Sequence, residues 1–431
     1  MPRSIHVYDE FKPEDVAMLQ ALYSRSASSV TNHVERVHQT GSGKFMETYY
    51  IGYSHKSIGD CGTTTIFFEE ISELAAKAIQ DWPLYSGQQT STRYIDFATQ
   101  PLFDPLESQE SKAILSAWMD FYTRSREPVL AHLEAVHPRQ PDEEEKTYQQ
   151  AIKARSFDIL RSFLPAAVTT QLSWHTNLRQ ANDKLLQMRH HPLEEVRDIA
   201  AATYSKLAEH YPHSFTGKEY ASQEAYVEHW MRQYAYLDNT ANAGFSLETT
   251  MTNQDLEPYT ECIASRPNGS ELPPFLGELG QLHCNFILDY GSFRDIQRHR
   301  NGTTRMPILT PDLGFQEWYL EQLPAETAEQ ARALIQSQLK RIEKLKCSRE
   351  IRQYYLAMGF NVAGRISCGL PSAVYITELR SGPTVHPTLR TVAHAMHHAL
   401  KERFPDLVLH SDTSPDAFSY KRGSQTITAK Q

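Results

Sequence analysis

The sequence contains no long apolar run. None of its hydrophobic stretches reaches the ~18–20 residues that a membrane-crossing helix needs, which argues against a membrane protein. Cysteine is sparse and odd in number: Cys61, Cys262, Cys284, Cys347 and Cys368, with no CxxC pair. That pattern disfavours a disulfide framework or a structural zinc site and favours a reducing cytoplasm. Positive charge is in deficit, with 43 Lys and Arg against 52 Asp and Glu and a net charge of −9. A protein that coats a nucleic-acid polymer would be basic. Gly269, Gly277, Gly280 and Gly291 spell neither a dinucleotide-binding fingerprint nor a P-loop. There is no low-complexity tract, and the charged stretch Met1 to Leu19 lacks the apolar core of a secretory signal.

What is present fits a soluble globular chain. Its 431 residues suffice for two or three domains, at 40% hydrophobic and 22% charged composition. The text reads as a diverged duplication. Leu164-Pro165-Ala166-Ala167-Val168 is echoed by Leu370-Pro371-Ser372-Ala373-Val374. Thr63 to Phe68 is a β-rich run leading into a helical pattern at Ile71, Leu74, Ala75, Ala78 and Ile79. Leu282, Cys284, Phe286 and Leu288 alternate as a half-buried strand does, and a helix-like segment follows to Arg298. Longer helices are expected around Phe157–Leu164, Val196–Leu207 and Ile335–Ile342, the first behind the acidic run Glu143–Glu145. The polar stretch His210 to Glu224 marks the expected boundary between halves 1–215 and 216–431.

Two strings carry chemistry. Arg298-His299-Arg300, with Arg305 close behind, can form an anion site, because guanidinium groups bind phosphate in bidentate fashion. A solvated basic helix end reads equally well. Ser91-Thr92-Arg93-Tyr94 offers a hydroxyl, a guanidinium and a phenol, suited to a phosphate and a planar ring; a strand edge with a snorkelling Arg is the plainer alternative.

Together the strings resemble the flavin-dependent thymidylate synthases. That signature joins Arg-His-Arg to a following Ser-x-Arg, usually with a Tyr. Here it is split. The C-terminal half keeps Arg298-His299-Arg300 but has Ile308 and Thr310 where Ser and Arg belong. The N-terminal half keeps Ser91, Arg93 and Tyr94 but has Asp81-Trp82-Pro83 in the Arg-His-Arg slot. Glu278 matches a family Glu upstream of the triplet. Arg161-Ser162-Phe163-Leu164-Pro165, then Trp174, Asn177, Arg179 and Arg189, match family positions in the N-terminal half.

The resemblance implies an α+β fold of two tandem domains, each a mostly antiparallel sheet with long flanking helices. It implies transfer of a one-carbon unit from methylenetetrahydrofolate to C5 of dUMP, with FAD as cofactor and NADPH as reductant, at one composite site. By residue it implies that Ser91 and Arg189 act at the reacting pyrimidine, and that Ser91, Arg93, Arg161 and Arg298 bind substrate. Arg298, His299, Arg300, Asn177, Arg179 and Glu278 would bind FAD. A homodimer, equivalent to a family tetramer, would follow. Gln89 and Asp295 stand where the family has Glu and Gln. They leave open another nucleotide such as UMP, or a decayed nucleotide-binding relative.

His394, His397 and His398 fall on one helix face but lack the partners a metal site needs, so no metal is expected. His190-His191 reads as a helix end. His386-Pro387-Thr388-Leu389-Arg390 reads either as a capped helix start or as a substituted ligand set. Cys61 and Cys284 are expected on strands in the core.

Overall fold

The computed structural model describes residues 11–24, 26, 29–52, 55–237 and 244–425. Its strands are β1 (Thr63–Ser72), β2 (Thr169–Asn177), β3 (Ser246–Thr249), β4 (Gln281–Asp289), β5 (Thr303–Arg305) and β6 (Asn361–Gly369). The helices that matter for the site are α1 (Glu73–Gln80), α2 (Gln109–Arg124), α3 (Glu145–Leu160), α4 (Leu178–Arg189) and α5 (Glu194–His210), then α6 (Tyr290–Ile296), α7 (Ala325–Glu343), α8 (Leu370–Ser381) and α9 (Pro387–Arg403). The chain is an α+β protein.

Two compact units are resolved. The first comprises Met1–Phe68, Leu84–Gln89 and Gln171–Ala235; the second comprises Glu69–Pro83, Thr90–Thr170 and Tyr236–Gln431. This division in space is not a cut at the sequence midpoint. The stretch His210 to Glu224 lies within the first unit, where Ser214 donates to Glu14 at 2.6 Å and the Tyr211 hydroxyl meets Thr64 at 2.9 Å. In the second unit β3-β4-β6-β5 form an antiparallel sheet, with Asp289 opposite Asn361 and Gln281 opposite Gly369. Two antiparallel sheets are present, as expected, but they differ in size. β1 and β2 make only a two-stranded sheet, extended by isolated bridges at Ser86–His175 and Gln89–Leu172.

A repeated contact pattern runs through the second unit. The Ala166 amide donates to the Leu356 carbonyl and the Met358 amide to that of Leu164, both at 2.8 Å. Likewise Ala167 donates to Tyr354, and Gly359 to Ser162. Each contact turns into the other under one constant sequence offset, with the Pro165–Ala357 bridge at the centre. Such reciprocity is the mark of two-fold symmetry. The surroundings obey it too. The Glu73 amide donates to Val168 and the Tyr290 amide to Phe360; Leu102 bridges Val168 as Phe315 bridges Phe360. Helices α1 and α6 both begin where a strand ends, capped by Ser72 and Asp289 respectively.

This geometry corrects one reading of the sequence. Leu164-Pro165 lies in the turn before β2, whereas Leu370-Pro371 opens α8 after β6, with Pro in the first helical turn where its missing amide costs nothing. The counterpart of Leu164-Pro165 is Leu356-Ala357, and that of Arg161 is Gln353. Cys284 is buried in β4 as expected, but Cys61 ends the short helix Lys56–Cys61 and is only half-buried.

Candidate active site

The triplet Arg298-His299-Arg300 leaves the C-terminal end of α6. Asp289 caps the start of this helix by accepting from the Ser292 amide at 2.8 Å. Asp295, in the last turn of α6, is the centre of the site. Arg298 approaches its carboxylate at 3.7 Å and Arg161 at 3.8 Å, and Arg380 donates to its backbone oxygen at 2.8 Å. Burial alone would raise the Asp295 pKa. Arg298, Arg161, Arg380 and Arg93 outweigh it and hold the carboxyl well below its ordinary range. Asp295 therefore stays ionised, and the four guanidiniums around it leave the cluster with net positive charge.

The three triplet side chains differ in availability. Arg298 is 47% exposed and Arg300 is exposed. His299 is buried, and its Nε2 accepts from Arg380 Nε at 2.8 Å, so its own proton sits on Nδ1. Burial, aided by the Arg380 charge, pushes this imidazole down to about 3. It is neutral at pH 7.

Ser91-Thr92-Arg93-Tyr94 forms a loop in the same unit. The Ser91 hydroxyl accepts from the Arg93 amide at 3.3 Å, and buried Thr92 accepts from Arg294 at 2.9 Å. Arg294 is itself paired with Glu73 in the interior. Arg93 grips fully buried Asp158 through Nε at 2.7 Å and Nη2 at 3.1 Å, and Nη2 also reaches the Thr384 carbonyl. Arg422 contacts the same two carboxylate oxygens. Arg161, 1% exposed, donates to Ser292 at 2.7 Å. One compact unit thus brings together Arg93 and Arg161 from the N-terminal half of the sequence and Arg298 from the C-terminal half, linked through Asp295.

The other expected site residues are not among the guanidiniums that act on Asp295. Glu278 is exposed in the short helix Pro274–Leu279, without an ion pair among the described residues. Asn177, Arg179 and Arg189 belong to the first unit. Asn177 caps α4, accepting from the Gln180 amide at 2.8 Å. Arg179 binds Asp60 at 2.6 Å, and Arg189 binds Glu224 at 2.6 Å and Glu219 at 3.2 Å. Arg179 and Arg189 line one cleft with Tyr50, Lys56, Tyr204 and Lys218.

Sequence reasoning missed Asp158, Glu73, Arg294 and Arg422, whose partners are remote in the chain. Arg380, in the last turn of α8, was not among the candidates either. His386 proves to be the capped helix start: it is buried and precedes Pro387, and its Nδ1 lies 3.4 Å from the Thr388 amide it caps. Among the described residues no group of three or more His, Cys, Asp or Glu is arranged to hold a metal ion, and no helix is long and apolar enough to cross a membrane.

Residues 7–213 match the family model described as thymidylate synthase complementing protein. The N-terminal part of the chain is similar to that family. The curated relatives are distant. A UPF0159 protein of Chlamydia muridarum is 23% identical over 406 residues, covering 79% of this chain and 75% of the relative. A UPF0159 protein of Chlamydia pneumoniae is also 23% identical, covering 81% and 76%. One from Thermoplasma acidophilum is 21% identical, covering 91% and 94%. The Arg298 triplet lies beyond the matched residues.

Proposed function

We propose that this chain is a flavin-dependent enzyme that transfers a one-carbon unit to C5 of a pyrimidine nucleotide, with dUMP as its substrate, at a single composite site in the second unit. The observation that carries this reading is the set of arginines drawn from both halves of the sequence onto Asp295. In the overall reaction the pyrimidine C5 gives up its proton and gains a methyl group. Methylenetetrahydrofolate supplies the carbon and leaves as tetrahydrofolate, and NADPH is the final source of hydride. The chemistry asked of the protein is electrostatic: binding the phosphate and stabilising negative charge on the ring.

Arg298 and Arg300 suit the anionic part of FAD, being exposed guanidiniums at the rim of a positive cluster. A bound flavin would supply the hydride there. Neutral His299 fixes the turn between them through Arg380. Asn177 and Arg179 are engaged in a helix cap and an ion pair, so the flavin reading rests on the triplet. Arg189, in the first unit, is held by Glu219 and Glu224, so the uracil-polarising role that the resemblance gives it draws no support from its partners. The same engaged side chains favour, as a second reading, a relative that binds flavin or nucleotide without turnover.

The test is the absorption spectrum of the purified protein with and without FAD and dUMP, followed by tritium release from C5-labelled dUMP and UMP. A flavin band with tritium release supports the enzyme. A band without release supports the binding relative. No band under any condition removes the flavin enzyme and leaves only the nucleotide-binding relative.

A further inference from the structure

Asp158 is fully buried on α3 and carries two guanidiniums. Arg93 and Arg422 both donate to Oδ1 and Oδ2 of this one carboxylate. Burial alone would raise the Asp158 pKa, but Arg422 and Arg93 hold it well below the carboxylate range. Arg422 also stands 5.5 Å from the ring centre of Tyr94. A residue near the C-terminus is therefore built into the support of the Ser91–Tyr94 loop.

The segment that brings it there is strapped to the unit at several points. Arg390 holds the Pro415 carbonyl at 3.1 Å and Ser414 at 3.0 Å, and Arg155 binds Asp416 at 2.9 Å. Phe418 stacks on His137 with ring centres 4.6 Å apart. The Tyr420 oxygen accepts from the Glu144 amide at 2.7 Å. Gly423 passes so close to α3 that a Cβ there would lie 1.9 Å from the Thr147 carbonyl. Little regular structure accompanies these ties, so the segment's course is set by side-chain anchors that end at Asp158.

We propose that Arg422 is a positioning residue for the nucleotide-binding loop, a role that rests on the proposed function for its ligand. It acts through Asp158 in two ways. Two forked guanidiniums on one carboxylate fix that carboxylate, and Asp158 in turn fixes Arg93 and the loop it belongs to. The Arg93–Asp158–Arg422 group also carries one net positive charge, where Arg93 and Asp158 alone would be neutral. An anion arriving at Arg93 thus meets a guanidinium whose charge is not cancelled by its own anchor.

The experiment compares the full-length protein with Arg422→Gln and Arg422→Lys, after thermal unfolding has shown which variants fold. Two readouts are used: dUMP affinity by calorimetry, and amide hydrogen exchange across residues 91–95 of the free protein. Arg422→Gln should bind dUMP about tenfold or more weakly, the scale of one lost charge near a partly buried anion site, and exchange in the loop should rise. Arg422→Lys keeps the charge but not the fork, and should fall between. If Arg422→Gln does not fold, the Lys variant is decisive by the same readouts. Unchanged affinity together with unchanged exchange overturns the proposal. If the wild-type protein binds no dUMP, the functional reading fails, and loop exchange alone still decides whether Arg422 positions the loop.

Discussion

At the residue scale, buried charge sets both the strength and the pH range of this protein. Arg294 and Glu73 form an ion pair in the interior, with Thr92 of the candidate substrate loop on the same guanidinium. Truncating one partner of such a pair strands the other charge. Arg294→Ala should cost about 3–5 kcal/mol in urea unfolding, and a loss below about 1 kcal/mol, the worth of a surface pair, would sink this account. The buried histidines act on pH. His299 has a folded pKa of about 3, lowered by burial and by Arg380, and His386 is also lowered, first by burial. Both are neutral in the folded state, while the unfolded chain takes up their protons below about pH 6.5. The unfolded state then binds more protons, so stability falls as pH falls. The slope for each histidine approaches about 1.4 kcal/mol per pH unit below that point. Urea midpoints from pH 7.5 to 5 should show the decline, and His299→Gln should flatten it. An unchanged slope in that variant would show that His299 is not the group responsible.

At the element scale, the repeated unit is a strand that turns directly into a capped helix. Ser72 caps α1 through the Ala75 amide, and Asp289 caps α6 through the Ser292 amide. Ser72→Ala should cost about 1 kcal/mol, the usual worth of a cap. Asp289→Ala should cost clearly more, because Thr388 and Tyr319 also donate to its carboxylate at 2.5 and 2.8 Å. Equal losses in thermal or urea unfolding would mean that the buried network adds nothing to the cap. The strand-to-helix transitions were legible in the sequence, as a β-rich run at Thr63–Phe68 and an alternating one at Leu282–Leu288 each lead into a helical pattern, although Ile71, expected on the first helix, still belongs to β1. The register of the repeat was not. Leu-Pro is a dipeptide that serves a turn at 164–165 and a helix start at 370–371, so matching letters joined unlike positions. The true equivalence lies in backbone hydrogen bonds, which accept Ala357 opposite Pro165 without complaint. The site followed the same rule. Arg298, Arg161 and Arg93 stood out as residue types, but the anchoring of Arg93 by Asp158, shared with Arg422, came from contacts between distant parts of the chain.

At the scale of the whole molecule, the reciprocal contacts pair positions of the two halves, and the proposed site uses residues that their paired positions lack. The position equivalent to Arg161 is Gln353, and those equivalent to Asn177, Arg179 and Arg189 are Gly369, Pro371 and Ser381. The equivalent of the Arg298 triplet is Asp81-Trp82-Pro83. The motif residues are thus complementary between the halves, the pattern that the proposal of one composite site in a fused pair predicts. The consequence is measurable through stoichiometry. Equilibrium dialysis should give one dUMP and one flavin per chain. Two independent sites would respond to mutation separately: Arg93→Ala and Arg298→Ala would each remove half of the ligand bound. In a composite site the two arginines serve the same anion cluster around Asp295, so each substitution alone should remove nearly all nucleotide binding, and the double variant should add little further loss. Half-occupancy after either single substitution would show that the two halves of the sequence work as separate sites, and the proposal of one shared site would fall with it.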